Sequence, residues 1–164
     1  MGFSRVLIAN RGEIALRILR SLRTLGIQAS IIHGKEDRTS LPVRWSDSAV
    51  PIYREDPLAS YLDVEAVVDA AKSVEADAVH PGYGFLAENP ILARRLTEEG
   101  ITFIGPSAEI LELLGDKLQA RSAMSAAGLP VAKGSEDPIQ NSESAMAIAA
   151  EIGYPVIIKA AAGG

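Results

Sequence analysis

Apolar positions come in short blocks separated by polar and glycine-bearing stretches. Val6–Ala9 is an apolar run of strand length, and Ile14, Ile18, Leu22 and Leu25, flanked by Ala15 and Leu19, follow as one stripe at helical period. Arg17, Arg20 and Arg23 fall on another face of that helix, and Gly26 ends it. Gln28–His33 reads as a second strand, Gly34–Ser46 as a polar loop and Ala49–Ile52 as a third strand. Val64, Val67, Val68 and Ala71 mark the next helix. Ala78–His80 is a short strand running into Pro81-Gly82-Tyr83-Gly84. Asn89 has the chemistry of an N-cap with Pro90 at the first helical position, Leu92 and Leu96 continue that helix, Gly100 closes it, and Thr102–Ile104 is another strand.

Strands alternating with helices predict βα units and a parallel sheet, and ligands bind such sheets at the carboxyl ends of the strands. The segments expected at that edge are Asn10–Glu13, His33–Ser40, His80–Asn89 and Gly105–Ser107. Beyond Gly115 the character changes. Asp116–Ala127 reads as a helix closed by Gly128 and Pro130. Asn141 caps another that ends at Gly153, and Tyr154–Lys159 reads as a strand leading into Ala160–Gly164. A domain boundary is placed at Gly115, dividing the chain into 1–115 and 116–164. A strand that enters small residues and glycines needs a turn and a partner, so the 164 residues are expected to be a piece of a longer chain.

Composition narrows the function classes. A 48% hydrophobic, 23% charged chain is ordinary globular protein, and with no cysteine it has neither a disulfide framework nor a thiolate metal site. A net charge of −5 argues against nucleic acid as the main partner. The apolar runs are too short for a bilayer, the N-terminus lacks a signal-peptide stretch, and Val6 breaks the myristoylation pattern. No membrane association is expected, and the cytoplasm is the expected compartment.

The candidate chemistry lies in the loops. After the first strand, Asn10-Arg11-Gly12-Glu13 holds one glycine and no G-x-G-x-x-G, which argues against a dinucleotide-binding oxidoreductase. Asn10 reads there as a residue near the N-cap and Glu13 as a first-turn acid that suits the helix dipole. His80–Asn89 brings a histidine, glycines, Tyr83 and Glu88 to the ligand edge. Its glycines permit close approach and Tyr83 could offer its face to a flat ring, whereas a rigid loop with Tyr83 and Phe85 in the core is the plainer alternative. Lys117 starts a helix, where a cation is unfavourable unless an anion binds or water solvates it. Lys159 followed by a glycine loop has the makings of a phosphate grip, though not of a Walker motif; a strand-end lysine reaching water is the alternative.

Ile8-Ala9-Asn10-Arg11-Gly12-Glu13-Ile14-Ala15 resembles the opening motif of biotin carboxylases, and His80–Asn89 resembles their second signature. Phe103-Ile104-Gly105-Pro106, Gly115-Asp116-Lys117 and Gly153–Ala160 are similar to further blocks of the family, in the same order. The resemblance implies a Rossmann-like α/β domain, the pre-ATP-grasp domain, followed by the start of an ATP-grasp domain that breaks off in its glycine-rich loop. It implies a ligase in which MgATP (Mg²⁺ or Mn²⁺) and bicarbonate form carboxyphosphate and biotin on a carrier protein is then carboxylated. It implies Lys117 and Lys159 as ATP ligands, Gly163 and Gly164 as the start of the loop over the phosphates, and Tyr83, Gly84 and Glu88 beside the biotin pocket. No catalytic set is complete in these residues and no metal ligand is assigned, so the isolated chain is expected to be inactive. Implied partners are the remainder of the carboxylase, the biotin carboxyl carrier, a carboxyltransferase and a second copy. Arg20 fits the family's dimer contact, while Thr24 lacks the acid expected nearby. The alternative reading is a non-catalytic assembly module of a carboxylase complex.

Overall fold

A computed structural model of the chain describes residues 2–56, 59–135 and 138–159; the Lys117 side chain also falls outside that description. The chain divides into two compact units, residues 1–111 and 112–164.

The first unit is built on a five-stranded, all-parallel sheet of β1 (Arg5–Ile8), β2 (Gln28–His33), β3 (Ser48–Pro51), β4 (Ala78–His80) and β5 (Thr102–Phe103), in the order β3-β2-β1-β4-β5. Connecting them are α1 (Gly12–Thr24), α2 (Leu41–Trp45), a 3₁₀ turn at Ala59–Leu62, α3 (Val64–Ser73) and α4 (Pro90–Glu98), with α5 (Ala108–Gly115) after β5. Strand alternation sends Val6, Ile8, Ala29 and Ile31 to one face, against Ala15, Ile18, Leu19 and Leu22 of α1. Leu7, Ile32 and Val79 take the other, against Val67, Val68 and Ala71 of α3 and Leu92 and Leu96 of α4. Both faces are covered, which explains why the central strands read as continuous apolar runs.

The second unit contains α6 (Lys117–Ala126) and α7 (Ser142–Ile152). Asp116 caps α6 by accepting from the amides of Leu118 (2.8 Å) and Gln119 (3.0 Å), and Asn141 caps α7 by accepting from Ser144 N (2.8 Å).

Several sequence expectations need correction. Residues 34–46 are not all loop: Leu41–Trp45 is a short helix with Pro42 in its first turn. Ala108–Gly115, left without an element, is helical. Residues 154–159 are not a strand, because among the described residues they have no neighbouring strand to pair with. Leu25, placed on the apolar stripe, is the C-cap of α1 and is 70% exposed. Asn10 is near the N-cap of α1 as expected, the cap position being Arg11, which makes no side-chain cap bond.

Candidate functional site

The strand order reverses between β1 and β4, and in a parallel sheet the crevice at such a switch point lies outside the carboxyl ends of the strands. Asn10 leaves β1 at that point and is 2% exposed. Its amide spans the switch: Nδ2 donates to Pro81 O (2.7 Å) and Tyr83 O (2.9 Å), while Oδ1 accepts from Arg11 N (2.8 Å). Two carbonyls on one side and an N–H on the other admit only this orientation of the amide. Gly82, at φ +70, packs directly over it; a Cβ there would lie 2.8 Å from Asn10 Nδ2 and 3.2 Å from Ile14 Cγ1. The Gly82 amide donates to His80 Nδ1 (3.0 Å), so the imidazole must stay neutral at that nitrogen. Burial, and secondarily the charge of Arg17, hold the His80 pKa below its usual 6.5.

A second network supports the other flank of the same loop. Arg11 grips Asp37 with both prongs, Nε to Oδ2 at 2.6 Å and Nη2 to Oδ1 at 2.8 Å. Tyr61, 2% exposed, donates its hydroxyl to Asp37 Oδ2 (2.8 Å) and accepts from Gly34 N (2.9 Å). The Arg11 bond, with a smaller contribution from Tyr61, holds Asp37 below the usual carboxylate range against the opposing effect of burial. Burial pushes the Tyr61 phenol up to about 12. Phe85 then stacks on the Tyr61 ring, with centroids 5.1 Å apart and planes at 25°.

Between these anchors the loop presents Tyr83, 63% exposed, together with exposed Gly84 and Glu88. The alternative that buried both aromatic residues therefore holds for Phe85, which is half-buried against the core, and not for Tyr83. The arrangement offers one aromatic face, a backbone left open at Gly84 and a carboxylate on a single loop.

Sequence reasoning missed Asp37 and Tyr61, and it placed Asn10 near the N-cap without finding its partners across the sheet. The usable signal was a polar residue directly after the apolar run Val6–Ala9, where it needs internal partners. In the second unit, Lys117 occupies the first position of α6, and Lys159 is exposed at the end of the described residues; Gly163 and Gly164 lie outside them. Among the described residues, no group of three His, Asp or Glu side chains is placed to hold a metal ion, and no helix is long and apolar enough to cross a membrane.

Comparison with known proteins finds relatives over nearly the full chain. The family described as biotin carboxylase, N-terminal domain, matches residues 2–111, and that described as carbamoyl-phosphate synthase L chain, ATP binding domain, matches residues 116–164. Biotin carboxylase of Pseudomonas aeruginosa is 50% identical over 161 residues, covering 98% of this chain and 36% of that protein. The 2-oxoglutarate carboxylase small subunit of Hydrogenobacter thermophilus is 49% identical, over 99% of this chain and 34% of that protein. The chain thus spans about a third of the length of these relatives. Among solved structures, the biotin carboxylase domain dimer of the H. thermophilus 2-oxoglutarate carboxylase, in complex with MgADP, ADP and bicarbonate, superposes with a TM-score of 0.93 at 48% identity, over all of this chain and 36% of that one. The Campylobacter jejuni biotin carboxylase in complex with β-γ-ATP gives 0.92 at 44%, over 99% and 36%. With its N-terminal 110 residues matched by that family's own domain and its fold shared throughout, the chain belongs to the biotin carboxylase family.

Proposed function

We propose that this chain forms the N-terminal part of an ATP-dependent biotin carboxylase, a ligase that uses MgATP and bicarbonate to carboxylate biotin on a carrier protein. The observation that carries the reading is the whole-chain likeness, at 48% identity, to a biotin carboxylase domain that holds MgADP and bicarbonate. Residues 1–115 are the pre-ATP-grasp domain and 116–164 the beginning of the ATP-grasp domain. In this reading Lys117 and Lys159 bind ATP, the ammonium groups acting as point charges on its phosphates. Gly163 and Gly164 begin the loop that covers those phosphates, with backbone N–H groups as the cradle. Magnesium neutralises and orients the phosphates when bound with the nucleotide; the described residues supply no cluster to hold it. Tyr83, Gly84 and Glu88 line the approach of biotin, whose flat ureido ring suits an aromatic face beside a glycine. The partners are the rest of the carboxylase, the biotin carboxyl carrier, a carboxyltransferase and a second copy contacting through α1, and the compartment is the cytoplasm.

The test is bicarbonate-dependent ADP release with magnesium, ATP and free biotin. It is run on the 164-residue chain and on the chain extended through its reading frame. Activity in the extended form alone is the expected result. Silence in both forms, with folding shown by circular dichroism, overturns the carboxylase reading. Turnover by the short chain overturns the claim that these residues lack a complete site.

A further inference from the structure

The loop from Pro81 to Ala87 is not a shape it would hold unaided. Gly82 and Gly84 lie at φ +70 and +67, and Phe85, which has a side chain, lies at φ +43. Left-handed backbone at a non-glycine residue persists where its surroundings over-determine it. The bonds within the loop are Gly82 N to His80 Nδ1 and Ala87 N to Gly84 O (2.8 Å), and neither fixes the Tyr83 peptide. What reaches that peptide from outside is Asn10, which takes the carbonyls of both Pro81 and Tyr83. Its neighbour Arg11 supports the far flank through Asp37, Tyr61 and the stack on Phe85. Adjacent residues at the end of β1 thus hold the opposite flanks of the loop that exposes Tyr83.

We propose that Asn10 is a positioning residue for the carboxylation of biotin: by holding the Tyr83 carbonyl it sets the height and direction of the Tyr83–Gly84 segment against which the ureido ring lies. Asn10 touches no substrate itself. The proposal rests on the biotin carboxylase reading and specifies which residue gives the biotin face its geometry. Both N–H donors of the Asn10 amide are used on the loop, and its oxygen accepts from Arg11 N. A residue that served only the helix would spend its oxygen on the first-turn amides of α1, and Asn10 does not.

The test uses the extended, active enzyme carrying Asn10→Asp or Asn10→Ala. Asn10→Asp keeps the volume but turns a carboxylate oxygen toward carbonyl oxygens, so it misplaces the loop without opening a cavity. The KM for free biotin is expected to rise about tenfold or more, a cost typical of misplacement on the scale of an ångström. The KM for ATP is expected to stay where it is in the unaltered enzyme. In parallel, amide hydrogen exchange on the 164-residue variants is expected to show faster exchange at Gly84–Asn89 with β1, β2 and β4 still protected. An unchanged biotin KM in a folded variant overturns the proposal. So does an equal rise in both KM values, or loss of protection throughout the sheet, since either makes Asn10 a structural residue only. If the unaltered extended enzyme shows no biotin-dependent turnover, it is the carboxylase reading that fails, and the exchange arm still reports whether Asn10 holds the loop.

Discussion

Gly82 and Gly84 share a loop and nearly the same backbone angle, yet the structure assigns them different reasons for being glycine. An alanine at either position pays for left-handed backbone, about 1–2 kcal/mol, less about 0.4–1 kcal/mol regained from a stiffer unfolded chain. At Gly84 nothing lies within 4 Å of the added Cβ, so the net cost is only that difference, about 1 kcal/mol. At Gly82 the Cβ meets Asn10 Nδ2 at 2.8 Å, Asn10 Cγ at 3.2 Å and Ile14 Cγ1 at 3.2 Å. Asn10 cannot retreat without releasing the Pro81 and Tyr83 carbonyls, and overpacking of this kind costs about 1–3 kcal/mol before any buried carbonyl is orphaned. Gly82→Ala is therefore expected to destabilise the first unit by about 2–4 kcal/mol, and by more where a carbonyl is orphaned, and Gly84→Ala by about 1 kcal/mol.

Urea unfolding followed by tryptophan fluorescence reads this directly, because the chain's single tryptophan, Trp45, belongs to the first unit. The Asn10→Ala background sharpens the comparison: with the amide gone, the added cost of Gly82→Ala should fall toward that of Gly84→Ala, the Ile14 contact remaining. Equal midpoints for Gly82→Ala and Gly84→Ala at unchanged m would refute the close-packing argument and leave backbone angle as the sole reason for both glycines.

Further outcomes follow from the same site. Tyr61→Phe removes a buried hydroxyl with a partner on each side and leaves Gly34 N unpaired, so a loss of about 1–3 kcal/mol is expected in the same urea assay; a change near zero would mean that water or a shift of Asp37 replaces the bond. His80 is held below its usual 6.5, so the unfolded chain takes up a proton before the folded one does. Its stability contribution is then fully present above pH 6.5 and is lost as pH falls through the folded value. An NMR titration of the His80 ring should show a midpoint under 6.5, and the unfolding midpoint should decline between pH 7 and pH 5 less steeply in His80→Gln; a ring midpoint at or above 6.5 would contradict the assigned burial.

Legibility in the sequence tracked how local the cause of each feature is. Gln28–His33 and Ala78–His80 are legible to the residue because each carries a short apolar stretch with glycine or proline just after it. Asn89 and Asn141 were read as caps because a cap bonds its own first turn. The five-residue α2 is too short to display a 3.6 period, and Ala108–Gly115, eight residues with only Glu109 and Glu112 polar, spans barely two turns. Residues 154–159 have strand propensity, but a strand is a pairing, and propensity cannot supply the partner. Asn10 is legible as a residue near the N-cap for a local reason, whereas the carbonyls its amide holds lie 71 and 73 residues away.

The same division runs through the site. Tyr83, Gly84 and Glu88 are legible in the sequence as candidates because they belong to one stretch of chain, and the structure leaves all three exposed. Asn10, Asp37 and Tyr61, which shape that stretch, are joined only in three dimensions. Their arrangement also accounts physically for the missing dinucleotide fingerprint. In a dinucleotide-binding sheet the glycines after the first strand leave the switch-point crevice open for a pyrophosphate. Here the Asn10 amide occupies the base of that crevice and ties β1 to the loop after β4, with Gly82 packed on top. In the proposed reading, biotin accordingly meets the exposed face of the loop, where Tyr83 and Gly84 are, and not the sheet edge.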